Sequence, residues 1–222
     1  MNKALSLMEP SRSLPIWGDF DVVVVGGGPS GLAASVSAAR QGARVLLVER
    51  YGFLGGMGTA GGVTNFAGLY GRRDGDMVQV VHGVVDDLLA RLEALGGLNA
   101  PQDGMNGRIR VRSYDVSAYK CAADQWLLAA GVKILFHAHA SSVMLSGSQI
   151  AALVLETKSG RGAVLGTCFI DCSGDGDLAA WAGAPFEVGD NAGGIRGRIR
   201  PQPDAINIAS AGRGLGNLRR SV

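Results

Sequence analysis

Cysteine is scarce in this chain. Cys121, Cys168 and Cys172 are its three thiols, and they form no Cys-x-x-Cys pair. Three cannot supply the four ligands of an iron–sulfur cluster. Cys168 and Cys172 flank the end of an apolar stretch, where an inert buried thiol is the expected state. Histidine is equally sparse. His137 and His139 stand two apart on one face of an expected strand, and with only His82 besides them no third metal ligand is evident. Charge is low at 18% of residues, with a net of +2, which points neither to nucleic acid nor to an acidic partner surface. No apolar run reaches membrane-spanning length. The first twenty residues carry Pro10 and Pro15 and lack the apolar core of a secretion signal, so a cytoplasmic protein is expected by default.

Glycine, by contrast, is abundant, with 35 residues. Most informative are residues 21–31, Asp-Val-Val-Val-Val-Gly-Gly-Gly-Pro-Ser-Gly, followed 23 positions after Gly26 by Glu49. Val22 to Val25 is an unbroken β-branched run without polar alternation, as in a central parallel strand covered on both faces. Gly26 lets the chain leave that strand in a tight turn. Gly28 has no Cβ, so its backbone can approach a phosphate, and Gly31 lets the first helical turn pack on the strand. Pro29 gives up an amide that would lack a helical partner anyway. The remaining amides, Ser30 among them, and the positive end of the helix favour an anion by ~0.3–1 kcal/mol. Leu32 to Arg40 make a slim helix closed at Gly42, and Arg44 to Val48 a second strand ending at Glu49. A carboxylate there accepts hydrogen bonds from both ribose hydroxyls of a dinucleotide and repels a 2′-phosphate, which argues against NADP.

Two further segments carry a family resemblance. Residues 49–64 read Glu-Arg-Tyr-Gly-Phe-Leu-Gly-Gly-Met-Gly-Thr-Ala-Gly-Gly-Val-Thr, and 169–184 read Phe-Ile-Asp-Cys-Ser-Gly-Asp-Gly-Asp-Leu-Ala-Ala-Trp-Ala-Gly-Ala. The first resembles the Gly-Gly-x-x-Thr segment of FAD-dependent oxidoreductases of the glutathione-reductase-like superfamily, which includes fumarate-reductase-type and heterodisulfide reductase A-type flavoproteins. The second resembles that family's Asp-Ala-Thr-Gly-Asp-Gly-Asp return strand, with Cys172 and Ser173 in place of the usual Ala-Thr.

The resemblance implies an α/β fold: a doubly wound, parallel Rossmann-like sheet that binds FAD, with an antiparallel β meander as crossover. It implies that Gly55, Gly56, Met57 and Thr59 pass the pyrophosphate and flavin edge, and that Gly174 and Asp175 lie on the returning loop. Arg50, next to the ribose acid, joins the site. The chain beyond a third strand at Val132 to Phe136 implies adenine contacts near His139 and Ala140. Iron–sulfur centres occur among heterodisulfide reductase A-type relatives, but this chain shows no ligand set for one, and no redox disulfide near the flavin segment. Asp175 and Asp177 are candidate helix N-caps or polar orienters.

Elsewhere the spacing predicts a helix over 78–95 stopped by Gly96-Gly97, a loop over 98–112, and a helix from Asp115 to Ala130. A meander of Ser142 to Leu145, Ile150 to Thr157 and Ala163 to Asp171 follows. Trp126 and Trp181 are expected to pack rather than stack on flavin.

Residues 1–20 read as an extension, 21–188 as the FAD-binding domain, and 189–222 as an atypical tail. That tail holds six arginines against two acids, giving it +4 and leaving −2 for residues 1–188. It lacks interleaved aromatics, so nucleic-acid binding is not expected. A disordered, truncated or frameshifted end is the expectation. The functional expectation is an FAD-dependent oxidoreductase moving a hydride or electrons through flavin between a small-molecule substrate and an acceptor that these residues do not identify. Two other readings stay open on sequence alone: an inactive remnant that binds FAD weakly or not at all, and an NAD-binding dehydrogenase domain. The oligomeric state is not written in these residues.

Overall fold

The computed structural model describes residues 7–187 and the backbone of two short strands at 198–199 and 208–210. The rest of segment 189–222 lies outside the described residues.

The unbroken valine run lies where a doubly covered strand belongs. Strand β1 (Ile16–Val25) pairs in parallel with β2 (Val45–Val48) on one side. Alternate side chains take opposite faces. Val24, Val45 and Leu47 pack with Leu32, Val36 and Trp126 on one face, while Val23, Val25, Leu46 and Val48 join Phe20, Phe169 and Leu178 on the other. The first face is roofed by helix α1 (Pro29–Arg40) and by α2 (Val84–Ala94) and α3 (Val116–Ala129). Small residues keep α1 slim, and Gly42, at φ 85°, closes it.

Between β2 and α2 the chain forms β3 (Asn65–Phe66) and a hairpin of β4 (Tyr70–Arg73) and β5 (Asp76–Gln79). The helix expected over 78–95 therefore starts six residues late. β-branched Val78 belongs to β5, and Gly83, at φ 89°, interrupts the helical path. The Asp86 carboxylate then accepts the Gly83 amide at 2.8 Å, closing the helix start. The loop expected over 98–112 is also corrected. Gln102–Gly104 (β6) and Ile109–Ser113 (β7) pair as a hairpin that adds β3. Ile109-Arg110-Val111-Arg112 alternates with strand period, a signal outweighed by Pro101, Gly104 and Gly107 in the sequence reading.

α3 follows the expectation closely, with the Asp115 carboxylate accepting the Ala118 amide at 2.7 Å as its N-cap. Then come β8 (Lys133–Leu135), β9 (Ala138–Ser146), β10 (Gln149–Thr157) and β11 (Gly160–Asp171). The sheet order is β8-β2-β1-β11-β10-β9. The first four strands run parallel, and β10 and β9 continue antiparallel, so the meander is an extension of the nucleotide sheet itself. β11 serves both parts, because twelve residues are long enough to pair with β1 along its length and with β10 at its start. Short helix α4 (Asp177–Trp181) follows, then β12 (Phe186–Glu187) paired with β13 (Arg198–Ile199), and β14 (Ile208–Ser210) beside the end of β11. β1 begins at Ile16, inside the segment read as an extension, and pairs there with Ala163. Trp126 is buried in the core, whereas Trp181 is partly exposed. Among the described residues no helix is long and apolar enough to cross a membrane.

Candidate functional site

β1, β2 and β11 all end at the same edge of the sheet. The chain adds strands on the β2 side first and then crosses to the other side of β1. A crevice opens where strand order reverses in such sheets. Here that place holds a cleft of about 480 Å³.

Three glycine-bearing bends form it, and contact distances explain the residue choice. Gly26 has φ 102°, and a Cβ there would sit 2.2 Å from the Cys172 carbonyl oxygen. A Cβ on Gly31 would sit 1.8 Å from the Gly26 carbonyl oxygen, so the first turn of α1 rests directly on the strand exit. A Cβ on Gly56 would come within 2.7 Å of Gly28 Cα, so the first bend and the Gly55–Thr59 segment lie backbone against backbone. The Gly55 amide ties them by donating to the Gly27 carbonyl at 2.8 Å. No side chain caps α1 and no acid stands in its first turn.

Of the residues singled out in the sequence, Gly26, Gly28, Pro29, Ser30, Glu49, Arg50, Gly56, Met57, Ala140, Gly174 and Asp175 line the cleft together. Gly31, Gly55 and Thr59 do not line it; they build it from behind. Thr59 is buried, its hydroxyl donating to the Leu54 carbonyl at 2.8 Å. Glu49 is buried where expected, yet both its oxygens already serve the main chain: Oε2 accepts the Gly27 amide at 2.7 Å and Oε1 the Tyr51 amide at 2.8 Å. The acid braces the glycine turn as well as facing the cleft.

The returning loop is organised differently from expectation. Neither Asp175 nor Asp177 is the N-cap of α4; that position is Gly176. The loop is held instead by Ser173, whose hydroxyl donates to Asp171 at 2.7 Å and accepts the amides of Gly176 (3.0 Å) and Asp177 (3.1 Å). Asp171 also accepts the Ala179 amide at 3.2 Å. Asp177 lines the cleft as well, and so do Cys172, Ser173 and Tyr51, which the sequence reading left out of it. It also missed Tyr114, whose hydroxyl is shared between the carbonyls of Val63 (2.6 Å) and Gly58 (3.1 Å) and pins the second glycine segment.

Burial, then the charges of Asp171 and Asp175, raise the Asp177 carboxyl above its ordinary 3.8, with His139 and Arg50 opposing. A raised carboxyl holds its proton longer in the folded chain than in the unfolded one. Its contribution to stability is therefore present below 3.8 and is lost as pH rises through the folded value. Asp177→Asn is expected to stabilise the protein at pH 7 and to lose that advantage near pH 3, as read from urea unfolding midpoints. Equal midpoint shifts at both pH values would contradict this. Burial, with Asp171 nearby, likewise pushes the Cys172 thiol up to about 12, and burial raises Cys168, while Cys121 is exposed. A disulfide reagent at pH 7.5 should thus titrate one thiol quickly and all three only in denaturant.

A profile of the FAD dependent oxidoreductases matches residues 21–208, far more than half of the sequence. The chain belongs to that family. The match covers the nucleotide sheet and reaches twenty residues past position 188. Dihydrolipoyl dehydrogenase of Trypanosoma brucei brucei is 51% identical over 45 residues, 20% of this chain and 9% of that protein. Thiamine thiazole synthase of Methanococcus vannielii is 30% identical over 150 residues, 66% of this chain and 51% of that protein. Among solved structures, the aromatic hydroxylase CabE from angucycline biosynthesis superposes with a TM-score of 0.57 at 19% identity, over 78% of this chain and 35% of its own, a likeness of fold. The chain thus spans about half the length of the thiazole synthase and smaller shares of the other two. Among the described residues no three His, Cys, Asp or Glu converge on a metal-binding cluster.

Proposed function

We propose that this cleft holds FAD and that the protein is an oxidoreductase acting on a small-molecule substrate. The observation that carries the reading is the meeting of two side-chain-free bends, Gly26–Gly28 and Gly55–Gly56, with an uncapped helix start at the carboxyl edge of β1 and β2. A diphosphate needs that combination: unpaired amides, a positive helix end, and no Cβ in the way. The residues present therefore fit the family's cofactor. Gly28, Ser30 and Gly56 would face the diphosphate, Glu49 a ribose, and Met57 with Gly61 the flavin side. Bound flavin supplies two-electron chemistry, accepting or donating a hydride. The chain's own part is to bind, orient and keep water from the cofactor. Three unpaired cysteines support a reducing, cytoplasmic setting.

The test is direct. Purified protein is examined for flavin absorbance, stripped, and titrated with FAD and with NADH. Stoichiometric FAD binding is the expected result, and colourless protein that ignores FAD would overturn the reading.

A further inference from the structure

At the edge of the sheet opposite the cleft, β1 reaches past its neighbour. It pairs with β11 from Ile16 onward but with β2 only from Val22. The step left at the amino ends of β1, β2 and β8 is a notch of about 310 Å³, a volume that suits a small molecule. Two rings of β1 line it. Ile16 stands opposite Ala163 and Gly18 opposite Val164, so Trp17 is the extra residue of a β-bulge, a device that re-aims a side chain. Its indole rests on Gly162, where a Cβ would fall 2.2 Å from the ring, yet 38% of Trp17 stays exposed. Phe20 likewise lies against Gly18, where a Cβ would fall 2.7 Å from the ring. Among the described residues neither ring stacks on another aromatic.

The charges around the notch decide what kind of guest it suits. Arg44 borders it, but that guanidinium is matched by both oxygens of Asp21, at 2.9 and 3.3 Å, and also donates to the Asp19 carbonyl at 3.0 Å. Lys133 and Asp19 line the notch as well. Among the described residues neither side chain has an opposite charge within 4.0 Å, and they do not pair with each other. The Lys133 ammonium lies 5.8 Å from the Phe20 centroid, so one cation is held beside a ring. A guest that completes this arrangement carries a flat apolar group for the rings, a carboxylate for Lys133 and an ammonium for Asp19. A simple anion would meet the repulsion of Asp19, and a simple cation that of Lys133. We propose that the notch is a second binding site, and that its ligand is a free aromatic amino acid in zwitterionic form. The site lies at the other edge of the sheet and does not depend on the FAD reading.

L-phenylalanine, which has no indole of its own, is titrated into the whole chain while tryptophan emission is followed. A saturable change is expected with a Kd of about 1 mM. It should vanish in Trp17→Phe, because Trp126 is buried and Trp181 stands on α4, away from the notch. 3-Phenylpropionate lacks the ammonium and phenethylamine the carboxylate, and each should bind about threefold more weakly, the scale of one exposed charge contact. L-alanine, with no ring, should give no saturable change. The two charge variants should then cross over. Lys133→Met should weaken L-phenylalanine and 3-phenylpropionate about threefold and leave phenethylamine no weaker. Asp19→Asn should weaken L-phenylalanine and phenethylamine by a similar factor and leave 3-phenylpropionate no weaker. A general loosening of the fold would instead weaken all three probes together. No saturable change with L-phenylalanine, a change that survives in Trp17→Phe, or an equal loss of all three probes in either charge variant would overturn the inference and leave the FAD reading standing.

Discussion

Gly26→Ala is expected to lower the unfolding free energy of the cofactor-free protein by about 3 kcal/mol or more. Two costs combine at this position. The residue has φ 102°, where a Cβ carries a penalty of about 1–2 kcal/mol. The new methyl would also fall 2.2 Å from the Cys172 carbonyl oxygen and 2.7 Å from its carbon. That obstacle is main chain, and it cannot swing aside. It is fixed by the Cys172 amide donating to Val25 at 2.8 Å, while the Gly26 amide donates to Val48 at the same distance. Relief would mean parting β1 from β11, and overpacking of this kind costs about 1–3 kcal/mol further. Gly42→Ala isolates the first cost, since φ there is 85° but nothing lies within 4 Å of the added carbon. It should lose only about 1 kcal/mol. Urea unfolding of both variants without FAD gives the comparison, and equal losses would show that the Gly26 contact relaxes freely.

This part of the fold was legible in the sequence because its rules are local. Val22 to Val25, Gly26, Gly31 and Glu49 are governed by local rules: a strand buried on both faces, an exit turn, a helix start, and an acid at the next strand end. The meander was readable for the same reason, because Ile150 to Thr157 and Ala163 to Asp171 are apolar runs bounded by Ser-Gly turns. What escaped is decided by partners distant in sequence. Ile16 joins β1 because β11 extends far enough to meet it at Ala163. Ile109 to Ser113 becomes a strand because β6 and Asn65–Phe66 supply edges. Tyr114 looks like any aromatic before a helix, and only the fold brings its hydroxyl to Val63, 51 residues away. On the return loop the sequence offered several oxygens within seven residues, Asp171 through Asp177. Choosing Ser173 and Asp171 over Asp175 as the loop's organisers depends on backbone angles at Gly174 and Gly176, φ 95° and 77°, which composition does not encode.

Glu49→Ala should damage the protein twice, and the two losses can be measured apart. Removing the carboxylate strips the Gly27 amide of its acceptor in a buried setting and the Tyr51 amide of its acceptor in a half-buried one. An orphaned buried donor costs about 1–3 kcal/mol, less where water can enter, so a loss of about 2–4 kcal/mol is expected in protein without FAD. FAD affinity should fall as well, by tenfold or more, because the glycine turn loses its brace and, on the proposed reading, the ribose its acceptor. Glu49→Gln preserves size and one acceptor oxygen but turns an NH₂ group toward the other amide. It should therefore lie between wild type and Glu49→Ala in stability while still losing FAD. An alanine variant as stable as wild type that nevertheless fails to hold FAD would make Glu49 a ligand contact alone. If both stability and affinity fall, the acid couples the two: by holding Gly27 it fixes the amides of the turn before any phosphate arrives, so the cofactor meets a turn already shaped to receive it.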